Sequence, residues 1–149
     1  TPTMDRTTLA EVYRQILSGS DIPAPARLLS AIRPDKAAQR LPGFPYSLLE
    51  NLWHAVFWQT IWLDRLDGKA TMKFTEDWQS PPASDFPKLK ARFVANIEKA
   101  HKLCSAKSFK HKMKSDEAAV KTLIALAIHD SYHMGQINLI KRVMRKSKP

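Results

Sequence analysis

The sequence predicts an all-α protein, a bundle of four long amphipathic helices, and three observations carry that expectation. Ten prolines fall so as to leave proline-free spans at about 5–18, 46–74, 88–113 and 116–146, each long enough for a helix. Apolar residues recur three to four apart in every one of those spans. Alternating runs of Val, Ile, Thr and aromatic residues joined by hairpin dipeptides are missing, so strands have little support.

The first helix is expected to open at Thr8, with Glu11 reaching back to complete the cap. Leu9, Val12, Tyr13, Ile16 and Leu17 form its apolar face, and Gly19-Ser20 ends it. A short helical piece fits around Ala26 to Ile32, between Pro25 and Pro34, and Pro42-Gly43-Phe44-Pro45 reads as a tight connection. The second long helix has the clearest start in the chain: in Ser47-Leu48-Leu49-Glu50 two side chains each satisfy an orphan backbone donor. It should run to Leu66 or Asp67. Asp85 is placed to cap the third, through Phe93, Ile97 and Leu103, with Pro87 tolerated in the first turn. Ser115 or Asp116 opens the fourth, whose apolar positions are Val120, Leu123, Ile124, Ala127, Met134, Ile137 and Val143. A chain of 149 residues and 17.0 kDa that yields four such helices is expected to form one domain, residues 1–149.

Composition narrows the function classes. Hydrophobic residues at 44% and charged residues at 26% exclude an intrinsically disordered chain. Cys104 stands alone, so no internal disulfide can form and a reducing cytoplasm is the expected compartment. The chain has no 18-residue apolar run to cross a membrane, and Thr1-Pro2-Thr3-Met4-Asp5 does not read as a secretory leader. The net charge of +10 is gathered in Lys99, Lys102, Lys107, Lys110, Lys112 and Lys114 and in the tail from Lys141 to Lys148. A solvated loop and a helix end, where cations oppose the macrodipole, account for most of it. Nucleic acid is not the expected partner, because Phe109 is the one aromatic residue interleaved with that cluster.

Five histidines occur, and His129 and His133 lie four apart on the fourth helix. Four residues turn a helix by about 400°, so both imidazoles project from one face, one turn apart, as a chelating pair requires. His54 sits on the second helix amid Leu52, Trp53, Val56, Phe57 and Trp58, where an unpartnered imidazole would cost about 1–3 kcal/mol. A metal shared by all three would satisfy them; so would bonds from separate core histidines to carbonyls or to Asp130. From the residues alone the two readings stand level. Among the neighbours, Asp130 is placed to fix an imidazole tautomer or to stand as a solvated surface carboxylate, Gln136 to fix a tautomer, Tyr132 to meet a substrate or pack at the seam, and Trp58 with Trp62 to wall a pocket or fill the core. Gly135 is expected to let another helix approach closely. His101, Cys104 and His111 lack a third partner.

The segment from His129 to Ile137, His-Asp-Ser-Tyr-His-Met-Gly-Gln-Ile, resembles the last-helix motif of the DinB/YfiT-like family at nearly every position. Upstream, residues 45–54, with Ser47, Glu50 and His54, are similar to its second-helix motif, and Phe57-Trp58-Gln59 follows. The resemblance implies an up-down-down-up four-helix bundle in which His54, His129 and His133 hold one divalent ion, zinc or nickel first, iron or manganese next. It also implies either metal-dependent hydrolysis, through water activated by the ion, or transfer of a low-molecular-weight thiol, on a small-molecule substrate, in a protein that can form homodimers. No nucleophile elbow or glycine-rich phosphate loop offers another catalytic route. The alternative is a non-enzymatic, stress-related bundle whose basic surface binds a polyanion or a protein partner.

Overall fold

A computed structural model describes residues 5–70 and 73–146; residues 1–4 and Lys148, used in reading the leader and the tail, lie outside it. The described residues form six helices and no strand: α1 (Arg6–Ser18), α2 (Pro25–Leu28), α3 (Pro34–Ala37), α4 (Leu48–Leu66), α5 (Phe86–Ser105) and α6 (Asp116–Lys146). The four long helices are those expected.

Contacts between particular residues give the topology. Arg6 at the start of α1 donates to the carbonyl of Ala106 just past α5, so these two run antiparallel. Gln59 donates to Phe93 O, and Lys99 reaches Asp67 at the far end of α4, so α4 and α5 run parallel and the 67–85 segment crosses over between them. Asn51 faces His133 while Gln59 donates to Asp130, so α6 is antiparallel to α4. The order is up-down-down-up. Leu52, Ile61, Phe93, Ile97, Leu123 and Ile137 are fully buried in the shared core, and the Tyr13 hydroxyl donates to Leu123 O across it.

The long helices begin and end for local reasons. At α4 both bonds of the Ser47–Glu50 box are present, and at α6 Ser115 Oγ accepts from Ala118 N. The α1 cap differs from expectation: Asp5, not Thr8, is the cap, because its carboxylate accepts from Thr7 N and from both threonine hydroxyls, while Glu11 pairs with Arg14. Asp85 holds the cap position of α5 but makes no side-chain cap bond. The piece expected at 26–32 is one turn, Pro25–Leu28, and Pro34 opens a second turn that was not expected. Lys141, buried on α6, donates to the carbonyls of Arg27, Leu28 and Ser30, supplying the cation at the end of α2 before Ala31 takes a left-handed φ of 57°. Gly68, at φ 73°, lets the 106–115 segment dock: a Cβ there would come within 2.9 Å of Lys112 Cβ, and Lys112 N donates to Leu66 O. No helix among the described residues is long and apolar enough to cross a membrane.

Gly135 corrects the sequence expectation. It is exposed, and a Cβ built on it would meet nothing within 4 Å. No neighbouring helix uses the missing side chain, so only the entropic cost of an interior helical glycine remains. Gly135→Ala is expected to stabilise the protein by about 0.5–1 kcal/mol in denaturant unfolding; destabilisation would show that something does pack there.

Candidate metal centre

The antiparallel pairing of α4 and α6 brings His54 opposite the His129–His133 face. The three ring centroids lie 4.4–5.1 Å apart, and one nitrogen from each ring fits in a set whose members all lie within 4.8 Å of one another. His54 Nε2 and His129 Nε2 are 3.3 Å apart. Among the described residues this is the one group of three or more histidine, cysteine or carboxylate side chains with metal-binding proximity.

The outer nitrogens of two rings are committed elsewhere. His54 Nδ1 lies 2.6 Å from Asp77 Oδ1 and 3.3 Å from Asp77 O. A carboxylate oxygen only accepts, so Asp77 holds the proton on Nδ1 and leaves Nε2 as a lone pair. Trp58 Nε1 donates to the same Oδ1 at 2.7 Å and fixes the carboxylate in turn. Asn51 does the equivalent for His133: its Nδ2 donates to Ser47 O at 2.9 Å, which turns Oδ1 toward His133 Nδ1 at 3.4 Å. His129 Nδ1 is buried without a partner.

Aromatic side chains enclose the cluster. Trp78 stacks on His54 at 3.9 Å and on Tyr46 at 3.8 Å, forming a three-layer sandwich, while Trp62 meets His129 edge-on at 5.2 Å. Asp77 and Trp78 both come from the crossover, which is tied to α4 where Trp53 Nε1 donates to Glu76 O and Ser80 Oγ to Glu50. Burial, then the nearby His54, pulls the His129 pKa down to about 4, with Asp77 partly opposing; burial, then His129 and His54, pulls His133 down to about 3. Both rings are therefore neutral near pH 7, the state a metal ligand needs.

The remaining candidates separate. Trp58 acts on the cluster through Asp77. Tyr132 is 62% exposed, with its ring edge-on to His133 at 5.2 Å. Gln136 lies against His133, where its side chain favours the protonated imidazole, but its buried Oε1 completes no hydrogen bond. Asp130 is not beside the imidazoles. It points into the core, accepts from Gln59 Nε2 at 2.9 Å, and burial pushes its carboxyl well above the usual range. Its place one residue after His129 turns it about 100° around the helix, away from the metal-facing side. Burial pushes the Cys104 thiol up to about 11, and His111 is spent on Asp116 at 2.6 Å and on Met113 N. Asp77, Trp78, Tyr46 and Asn51 were not singled out in the sequence. Asn51 was legible, three residues before His54 and on its face; Asp77 and Trp78 lie on an irregular crossover with no periodicity to place them.

An up-down-down-up helical bundle that gathers three imidazoles between its second and fourth long helices defines the class of protein. The chain belongs to the DinB superfamily, whose profile matches residues 26–137. No curated protein and no solved structure matches it.

In the metal-free protein, the His129 and His133 ring protons are expected to titrate by NMR only as the pH is lowered well below neutral, with midpoints near 4 and 3. Midpoints near 6.5, the ordinary histidine value, would mean that the rings are solvated and apart.

Proposed function

We propose that His54, His129 and His133 hold one divalent ion, zinc or nickel first and iron or manganese next, at an open site that acts on a small-molecule substrate. The observation that supports this most strongly is the convergence of three imidazole nitrogens: two outer nitrogens are bonded away from the centre while the inner ones crowd together. Three neutral ligands from two rigid helices fit such an ion, and they fall one short of the closed four-ligand shell of a structural zinc site. Bound there, the ion would supply Lewis acidity, lowering the pKa of water or a thiol or polarising a substrate oxygen.

The chain's own groups do the rest. Asp77 orients the His54 ring, and Asn51 orients His133. Trp62 and Trp78 limit water around the imidazoles, which strengthens electrostatic interactions inside the site. His129, whose Nδ1 is unsatisfied, is the least constrained of the three. This set suits hydrolysis of a carbonyl or phosphoryl centre and transfer of a low-molecular-weight thiol alike.

Elemental analysis of the untagged protein is expected to find about one divalent ion per chain. His54→Ala and His133→Ala should lose it while far-UV circular dichroism keeps most of its helical signal, and Asp77→Asn should bind about 10–100-fold more weakly. Retention of the ion by both alanine variants, or failure of the wild type to take up zinc, nickel, iron or manganese, would overturn the reading.

A further inference from the structure

The lysine cluster that closes α5 does not spread over a convex surface. Lys99, Lys102, Lys107 and Lys110 rim a concavity of about 430 Å³ floored by the half-buried Leu103, with the exposed Ala106 and Ser108 completing its lining. Lys99 is held by Asp67 at 2.7 Å, whereas Lys102, Lys107 and Lys110 form no ion pair among the described residues. The helix macrodipole explains a lysine in the last turn, such as Lys102, but not Lys107 and Lys110, which lie beyond the helix.

The irregular segment carrying those two is held in place. Arg6 bonds Ala106 O at its start, and in its second half His111 bonds Asp116 and Lys112 N bonds Leu66 O. A charged rim on an anchored segment loses little freedom when a partner docks. The groove also stands apart from the histidine cluster: it adjoins Asp67, thirteen residues after His54 on α4, or roughly 20 Å along the helix axis.

We propose that this groove docks an acidic peptide segment that inserts an apolar side chain between the lysines. Charge complementarity names the acidic partner, and the apolar floor names the anchor. Phe109 packs against the His111 ring at 4.8 Å and beneath the Arg6 guanidinium at 5.1 Å, so it offers no stacking platform for a nucleobase. Lysine stems, in contrast, lie readily against an apolar side chain while their ammonium groups meet carboxylates.

Fluorescence anisotropy with a labelled peptide of Glu and Asp residues around a central Leu-Phe pair, at physiological salt, tests this. Two triple variants carry the same change in charge: Lys102→Glu with Lys107→Glu and Lys110→Glu in the groove, and Lys36→Glu with Lys88→Glu and Lys146→Glu at distant exposed sites. Matched circular dichroism melts ensure that both fold. The groove variant is expected to bind at least about tenfold more weakly and the distant variant within about twofold of wild type, and replacing Leu-Phe by Ser-Ser should weaken binding several-fold. Equal losses in both variants, indifference to the anchor, or no binding by the wild type would overturn the proposal. So would tighter binding of a single-stranded oligonucleotide or of phosphatidylserine vesicles than of the peptide.

Discussion

Three imidazoles pressed together between α4 and α6 constrain everything around them. Each ring has two nitrogens, and in a buried site each nitrogen needs a partner or carries a penalty. Asp77 and Asn51 take one nitrogen each from His54 and His133, and so turn the remaining lone pairs inward. The helices alone do not accomplish this. Asp77 arrives on the crossover between α4 and α5, so the up-down-down-up connection, which needs a long segment to join two parallel helices, also supplies the group that sets the His54 tautomer.

That double use accounts for how the crossover is fastened. Trp53 and His54 on one turn of α4 and Trp58 on the next all contact residues 76–77, and Trp78 closes the stack over His54 against Tyr46. Trp53 and Trp58 thus serve as a bed for the irregular segment above them, while Phe57 is buried. The deep core, around Leu52, Ile61 and Leu66, takes its buried aromatic residues from other helices, Tyr13 from α1 and Phe86 and Phe93 from α5. Asp130 and Gln59, with Asn96, form a separate polar pocket within that core, and it works against the fold's stability rather than on the centre.

Much of this was legible from residues. Proline spacing and three-to-four periodicity located all four long helices, and the Ser47–Glu50 box marked the α4 start to the residue. The histidine triad was legible because two of its members share a helix face and the third stands out as polar in an apolar run. What escaped were features set by tertiary contact. Asp77 and Trp78 depend on where the crossover lands, Asp130 was assigned to the imidazoles when its angle around α6 places it in the core, and Asp5 displaced Thr8 because one carboxylate could satisfy three donors. Gly135 escaped for the opposite reason: it was credited with a neighbour that the bundle does not provide.

The tautomers of the three rings decide whether the site is pre-arranged for a metal. Nitrogen-15 NMR of the metal-free protein at neutral pH, correlated to the ring carbon-bound protons, reads them directly. His54 and His133 should each carry the proton on Nδ1, with Nε2 showing the shift of an unprotonated nitrogen. Protonation of Nε2 in either ring, with Nδ1 bare, would mean that Asp77 or Asn51 does not orient its imidazole, and the inward convergence of lone pairs would be lost.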